Sequence, residues 1–309
     1  MHVGLAGFDT ESIIRSMDRK GIDQSWLLTW EEINPPLPGL HMDLLPEPML
    51  EAKDRYPDRF VPFYAPDPAT ENLKELFNRY QELGIRGCAE LKVSRTWEDP
   101  LIESYLEIVQ QYALPLVFHM ENPRMLYIQK KGRTLQLPLE GLLNDRFNGL
   151  SRYYINQLTQ RTGILKKRIN QNQEYFPGIL FDFAFLEKRI LQFPGVKFIG
   201  HGPDYWNNIS SFQHQKYIHQ KGSIQTFGII DRLLEEHDNF FCDISGTSGY
   251  NAMNRDRTQA KIFLQKHAAK ILYGTDNTLF PLLELLHSMD LGKESLERIL
   301  YKNALDILR

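Results

Sequence analysis

The sequence has no excess of either charge and no long apolar run, and each absence excludes a class of protein. Among its 309 residues, 36 lysines and arginines are balanced by 39 acidic residues, so no basic field favours nucleic acid as a partner. No apolar run reaches the roughly eighteen residues of a membrane-spanning helix, and the N-terminus lacks the layout of a signal peptide. The only two cysteines, Cys88 and Cys242, fall in apolar strand-like runs. They predict buried thiols rather than a disulfide, which favours a cytoplasmic location.

The sequence does contain a repeated alternation of short strand patterns with amphipathic helix patterns. Eight β-rich segments are predicted: MHVG (1–4), SWLLTW (25–30), RFVPFYA (59–65), GCAELKV (87–93), LPLVFH (114–119), VKFIGH (196–201), NFFCDIS (239–245) and KILYGTD (270–276). Helix patterns such as TESIIRSMDRKGI and TENLKELFNRYQELGI lie between them, and Gly84 suits the position just after a helix end. Strand then helix, repeated eight times, predicts an α/β fold: a single TIM (β/α)8 barrel domain over residues 1–309.

One strand-to-strand step is much longer than the others. His119 and His201 are 82 positions apart, which predicts an inserted segment of roughly fifty residues at about 122–178. The insertion is polar, aromatic and basic, and a helix is predicted near 151–170. It leaves the barrel at the face where such folds build active sites. It is therefore interpreted either as a surface elaboration or as a lid or subunit contact.

Polar side chains occupy the last inward-facing position of several apolar strands. Because strand residues alternate in direction, His119, His201 and Asp276 are each predicted to point inward at the C-terminal end of a strand. The same reasoning adds residues on two other strands: Glu90, Lys92, Asp243 and Ser245. One such histidine alone is more often structural, but several buried at one rim predict a shared metal or hydrogen-bond network. Two histidines and a carboxylate suit zinc, manganese or iron.

Four segments, in this order, resemble strands five to eight of the amidohydrolase superfamily: LPLVFHMENP, VKFIGHGPDYW, NFFCDISG and ILYGTDN. The most similar branch is the amidohydrolase-related one, which includes aminocarboxymuconate-semialdehyde decarboxylase, resorcylate decarboxylases and several lactone and amide hydrolases. RFVPFYAPDP and GCAELKV resemble its third and fourth strands, and LERILYKNALDIL resembles its closing helix. The likeness therefore spans nearly the whole chain apart from the insertion.

The resemblance implies a metal site with His2, His119 and Asp276 as ligands. The first strand of the family carries a histidine-x-histidine or glutamate-x-histidine pair followed by glycine, and MHVG matches only its second half. The sequence therefore leaves open a start assigned too late or a reduced site, and it predicts a poorly anchored first strand. One divalent metal is expected, with zinc favoured over manganese or iron. Lys92 or Glu90 is expected to face the substrate, with Lys92 holding a substrate carboxylate.

The leading hypothesis is metal-dependent hydrolysis of an amide, lactone or ester bond in a small molecule bearing a carboxylate. Asp276 would move the proton of the attacking water, and His201 would stabilise the oxyanion. Loop residues expected to shape the substrate site are Trp30, Arg124, Asp204 and Tyr205.

The alternatives that remain open are a non-oxidative decarboxylase, a metal-free lactonase and a non-catalytic barrel, the last two because the first-strand ligand pair is incomplete. No nucleic-acid or membrane partner is expected, and a homodimer is left open.

Overall fold

The computed structural model describes residues 1–33, 43–121, 125–130, 133–138, 180, 182–212 and 219–309. Its strands, each four residues or longer except the last, are β1 Ser25–Leu28, β2 Phe60–Phe63, β3 Cys88–Leu91, β4 Leu116–His119, β5 Met125–Lys130, β6 Arg133–Pro138, β7 Phe198–His201, β8 Phe240–Asp243 and β9 Ile271–Leu272. Seven of these coincide with predicted strands, and each is shorter than its predicted segment. The remaining predicted strand, MHVG at the start of the chain, does not form a strand. Only the backbone of Met1 pairs with β1.

All the pairings within the barrel wall are parallel. β1 pairs with β2, and β3, β4, β7, β8 and β9 form a five-stranded sheet in that order. A parallel bridge between Phe63 and Gly87 joins the two groups. On the other side, Met1 N donates to Trp26 O (2.9 Å) and Leu28 N donates to Met1 O (2.8 Å), so Met1 continues the wall beside β1. The eight predicted strand positions therefore follow one another around the wall.

Helices lie between the strands, as the amphipathic patterns predict. They are α1 Thr10–Lys20, α2 Pro46–Arg55, α3 Leu73–Glu82, α4 Pro100–Gln111, α5 Phe183–Gln192, α6 Pro203–Asn207, α7 Ile229–Glu236, α8 Gly246–Asn254, α9 Arg257–Lys266, α10 Leu282–Ser288, α11 Lys293–Glu297 and α12 Asn303–Ile307. Asp9 caps α1 by accepting the Ser12 N–H (2.8 Å), and Gly21 ends that helix in the left-handed region. Gly84, at φ 90°, lies just beyond α3 as predicted.

The apolar side chains divide between the outer helix layer and the barrel interior. Inward-facing residues of successive strands, including Ala89, Val117, Ile199 and Leu272, pack together inside the wall. Ile307 of the final helix, α12, packs against the same cluster. This helix therefore closes the interior at the end opposite to the C-terminal ends of the strands. Alternation along β4 and β7 leaves the next inward positions for His119 and His201, whereas on β3 the site residue Glu90 directly follows the inward Ala89, where the register with β4 shifts.

Both cysteines are buried free thiols, as predicted. Burial raises the pKa of Cys88 to about 12. Within the part of the chain that the structure describes, no helix is long and apolar enough to cross a membrane.

The predicted insertion lies mostly outside the described residues. Its described backbone consists of β5 and β6, which pair antiparallel as a hairpin. The helix predicted near 151–170 and Arg124 both lie outside the described residues. Their roles therefore remain predictions.

Candidate metal and substrate site

His2 is buried at the end of the barrel wall and is held from two sides. Its Nδ1 atom lies 2.9 Å from Leu28 O, and its backbone is bound by the Asn277 side chain. Asn277 Oδ1 accepts the His2 N–H at 2.8 Å, while Asn277 Nδ2 donates to His2 O at 2.6 Å. His2 is only 1% exposed. The expected weak anchoring is therefore wrong, and the ring is fixed with Nε2 facing the site.

Glu90 and Asp276 are the carboxylates that His2 faces. His2 Nε2 lies 3.4 Å from Glu90 Oε2 and 3.3 Å from Asp276 Oδ1. The other Glu90 oxygen lies 2.5 Å from Nδ1 of His119. The sequence expectation for Glu90 was a substrate contact; the structure places its carboxylate between two histidines.

His119 is enclosed by two carboxylates. Its second ring nitrogen, Nε2, lies 3.1 Å from Glu121 Oε2, and both side chains are buried. Glu121 follows His119 by two residues at the end of β4, so extended backbone places both side chains on the same side. This residue was not among the predicted site residues.

His201 occupies the next strand and faces the opposite side of the same space. Its Nε2 lies 3.8 Å from Asp276 Oδ2, and its Nδ1 lies 3.6 Å from Asp243 Oδ2. Ser245 donates to Asp243 through its hydroxyl (2.9 Å) and its backbone N–H (2.6 Å). Asp243 is thereby held behind His201, while Asp276 faces both His201 and His2.

Buried charges of opposite sign control the ionisation of these groups. Burial opposes the ionised form of Asp276, but His2 and His201 outweigh it and lower the pKa of Asp276. The pKa of Glu90 lies well below its usual range, because the effect of His119 and His2 exceeds that of burial. Both acids are therefore ionised at neutral pH.

His119 responds in the opposite direction. Burial and the Lys92 ammonium oppose its charged form, but Glu90 and Glu121 outweigh both and raise the pKa of His119. The pKa of His2 is also raised, because hydrogen bonds to Asp276 and Glu90 exceed the effect of burial. The surroundings of both rings thus favour a positive charge at this end of the barrel.

A cavity of about 690 Å³ reaches the site from within the barrel. Six of the polar residues line it: His2, Glu90, His201, Asp243, Ser245 and Asp276. Apolar strand residues such as Val117, Ile199 and Leu272 form the wall below them. The polar groups therefore share one cavity with the apolar interior of the barrel, and this cavity extends to the closing helix at Ala304 and Leu308.

The donor set fits a divalent cation. One ligand atom from each of Glu90, His119 and His201 lies within 4.8 Å of the others, and all three residues are buried. His2 and Asp276 border the same space, which adds an imidazole and a carboxylate. Imidazole and carboxylate together suit a divalent ion such as manganese, iron or zinc. The residues that could hold the metal are therefore His2, Glu90, His119, His201 and Asp276.

The predicted substrate residues lie at different depths. The Lys92 ammonium lies 4.4 Å from the Trp30 ring centroid, and that ring packs edge-on against His2 at 4.7 Å. Asp204 is buried at the start of α6. Tyr205 is fully buried among aromatic rings that include Phe118 and Phe240, so the structure brings it to the wall behind the site.

No protein-family model matches the sequence, and no curated protein matches it either. Among solved structures, the chain is similar to an uncharacterised TIM-barrel protein from Bordetella bronchiseptica, with a TM-score of 0.57, 12% identity, and coverage of 96% of this chain and 82% of that one. The chain has the TIM-barrel fold.

Two enzymes share the fold. One is described as a probable 2-pyrone-4,6-dicarboxylic acid hydrolase from Acinetobacter baumannii with citric acid bound (TM-score 0.51, 13% identity, 99% of this chain and 96% of that one). The other is a dihydroxybenzoic acid decarboxylase from Polaromonas with bound manganese and 2-nitroresorcinol (TM-score 0.50, 17% identity, 96% and 84%). These comparisons confirm the predicted TIM-barrel fold.

Proposed function

We propose that the chain is a divalent-metal-dependent hydrolase of a C–N or C–O bond in a small molecule bearing a carboxylate. The observation that carries the proposal is the convergence of histidines and carboxylates from five wall positions on one space, with Asp276 3.3 Å from His2 and 3.8 Å from His201. A barrel of this kind presents its strand ends as the reaction face.

His2, Glu90, His119 and Asp276 would hold the cation, with His201 facing it or the substrate. When bound, such a cation polarises a carbonyl oxygen and lowers the pKa of water. Manganese is favoured over zinc, because two carboxylates contribute to the donor set and the Polaromonas enzyme of the same fold holds manganese.

Asp276 has the position of a general base. Its lowered pKa keeps it ionised at neutral pH, so it can accept a proton from the attacking water and return it to the leaving group. His201, held through Nδ1 by the Asp243–Ser245 pair, directs Nε2 toward the cavity. It would stabilise the charge that develops on the carbonyl oxygen.

Lys92 supports a substrate with a carboxylate group. Lys92 is 4% exposed, and its ammonium lies over Trp30 and acts electrostatically on His119. A buried cation beside the reaction centre attracts an anionic group through a short distance and a low local dielectric. The same feature favours the second candidate, a decarboxylase, because the group held there would then be the one that leaves as carbon dioxide.

The experiment is a turnover screen of the manganese-loaded protein on lactones, esters and amides that carry a carboxylate, with hydroxybenzoates in parallel. Hydrolysis is measured by acid release and decarboxylation by carbon dioxide capture. We expect acid release without carbon dioxide, and loss of turnover in Asp276→Asn at an unchanged melting temperature. Lys92→Met should raise KM for carboxylate substrates and leave KM for their neutral methyl esters unchanged. Carbon dioxide release would replace the hydrolase by the decarboxylase, and a fully active Asp276→Asn would refute both.

A further inference from the structure

Glu121 is a buried carboxylate that contacts His119 from the side of the ring away from the space shared by His2 and Asp276. It contacts His119 through Nε2 at 3.1 Å, whereas Glu90 contacts the same ring through Nδ1. Its side chain is 4% exposed. Burying a carboxylate is costly, so a group placed there without a partner would destabilise the fold.

The two sides of the His119 ring differ in their neighbours. On the Nδ1 side, Glu90 also contacts His2, whose Nε2 lies 3.4 Å from the other Glu90 oxygen. The same His2 nitrogen contacts Asp276. The donor atoms therefore accumulate on the Nδ1 side, and Glu121 stands behind the ring.

We propose that Glu121 is a positioning residue that accepts the Nε2–H of His119 and directs the Nδ1 atom toward the metal site. The inference rests on the metal site of the proposed function. Metal-bound histidines usually donate their other ring N–H to a carboxylate or carbonyl, which fixes the tautomer and raises the basicity of the ligand atom. His2 follows the same rule through the Leu28 carbonyl, 2.9 Å from its Nδ1. Two of the histidines thus have their ring orientation set by an acceptor outside the ligand set.

The test compares wild type with Glu121→Ala, Glu121→Gln and the control Glu32→Gln. Glu32 is a buried carboxylate at the same rim, and it accepts from the backbone N–H and hydroxyl of Ser94. The dissociation constant for Mn²⁺ is measured by electron paramagnetic resonance of the free ion. The visible spectrum of the Co²⁺-loaded protein reports the ligand set, and the melting temperature of the metal-free proteins reports the fold.

Glu121→Ala should weaken Mn²⁺ binding by roughly tenfold to a hundredfold. Glu121→Gln, whose amide oxygen still accepts the Nε2–H, should recover most of the affinity and keep the wild-type Co²⁺ spectrum. Glu32→Gln should bind Mn²⁺ as wild type does. If Glu121→Ala binds Mn²⁺ normally, or if Glu121→Gln changes the Co²⁺ coordination as loss of a ligand would, the positioning role is wrong. A wild type that binds no metal overturns the proposed function together with this inference.

Discussion

Replacing Gly246 by alanine should damage the metal site far more than it damages the fold. Gly246 begins α8 at φ +69°, and a Cβ there would lie 2.7 Å from Asp276 Oδ2. Restoring an ordinary contact of about 3.4 Å requires the carboxylate oxygen to move by about 0.7 Å, which exceeds the roughly 0.5 Å tolerance of an active-site group.

The stability cost should be modest, because the atom that must move ends a short side chain rather than belonging to the backbone. The left-handed backbone alone costs an alanine about 1–2 kcal/mol. Gly222 provides a matched control, since its φ is +81° and nothing lies within 4 Å of its Cβ position. Both variants should therefore lose a similar free energy of unfolding.

The assay pairs urea unfolding with Mn²⁺ titration of the two variants. Gly246→Ala should bind Mn²⁺ at least tenfold more weakly than Gly222→Ala at matched stability, since disturbing the groups that orient a metal ligand already costs about tenfold to a hundredfold in affinity. Equal affinities in the two variants would refute the placement of Asp276 among the ligands.

Three other predictions follow from separate parts of the structure. Asn277→Ala removes three hydrogen bonds from the N-terminal segment, at about 1 kcal/mol each. Hydrogen exchange of residues 1–8 should therefore accelerate and Mn²⁺ affinity should fall. Unchanged exchange would show that Asn277 does not hold this segment in place. Arg232 lowers the pKa of Glu187 to about 2, so Glu187→Gln should cost about 1 kcal/mol at pH 7. Because the folded pKa is depressed, that difference should shrink as pH falls from about 4.5 toward 2, and a pH-independent difference in urea unfolding would be inconsistent with the ion pair. Cys88, with its pKa raised to about 12, should resist thiol reagents at pH 8 until the protein unfolds; rapid native labelling would show that burial does not protect it.

The barrel could be predicted from the sequence because its signals are local. Apolar strand runs separated by amphipathic helices recur along the chain, and several of them end in a polar inward position such as His119 or Asp276. The alternation of side chains along each strand also predicted which residues face the barrel interior. Strand ends were predicted too long, since polar residues at the rim leave the ladder to form the site.

The rest of the site depends on contacts between distant positions. Asn277 binds His2 across 275 positions, and in the sequence it follows Asp276 as an ordinary turn residue. Glu121 lies just beyond a strand, where a polar residue is typical of any loop, although its spacing of two from His119 was a usable signal. Glu90 was assigned to the substrate because alternation gives the face of a side chain but not its partners.

The most direct test of the account is a Mn²⁺ titration of the metal-free protein, followed by electron paramagnetic resonance, with His119→Asn as the comparison. Wild type should bind Mn²⁺ at one saturable site per chain, and His119→Asn should lose that site at an unchanged fold. Absence of saturable binding in wild type, or undiminished binding in His119→Asn, would contradict the claim that the histidines and carboxylates at this end of the barrel hold a metal.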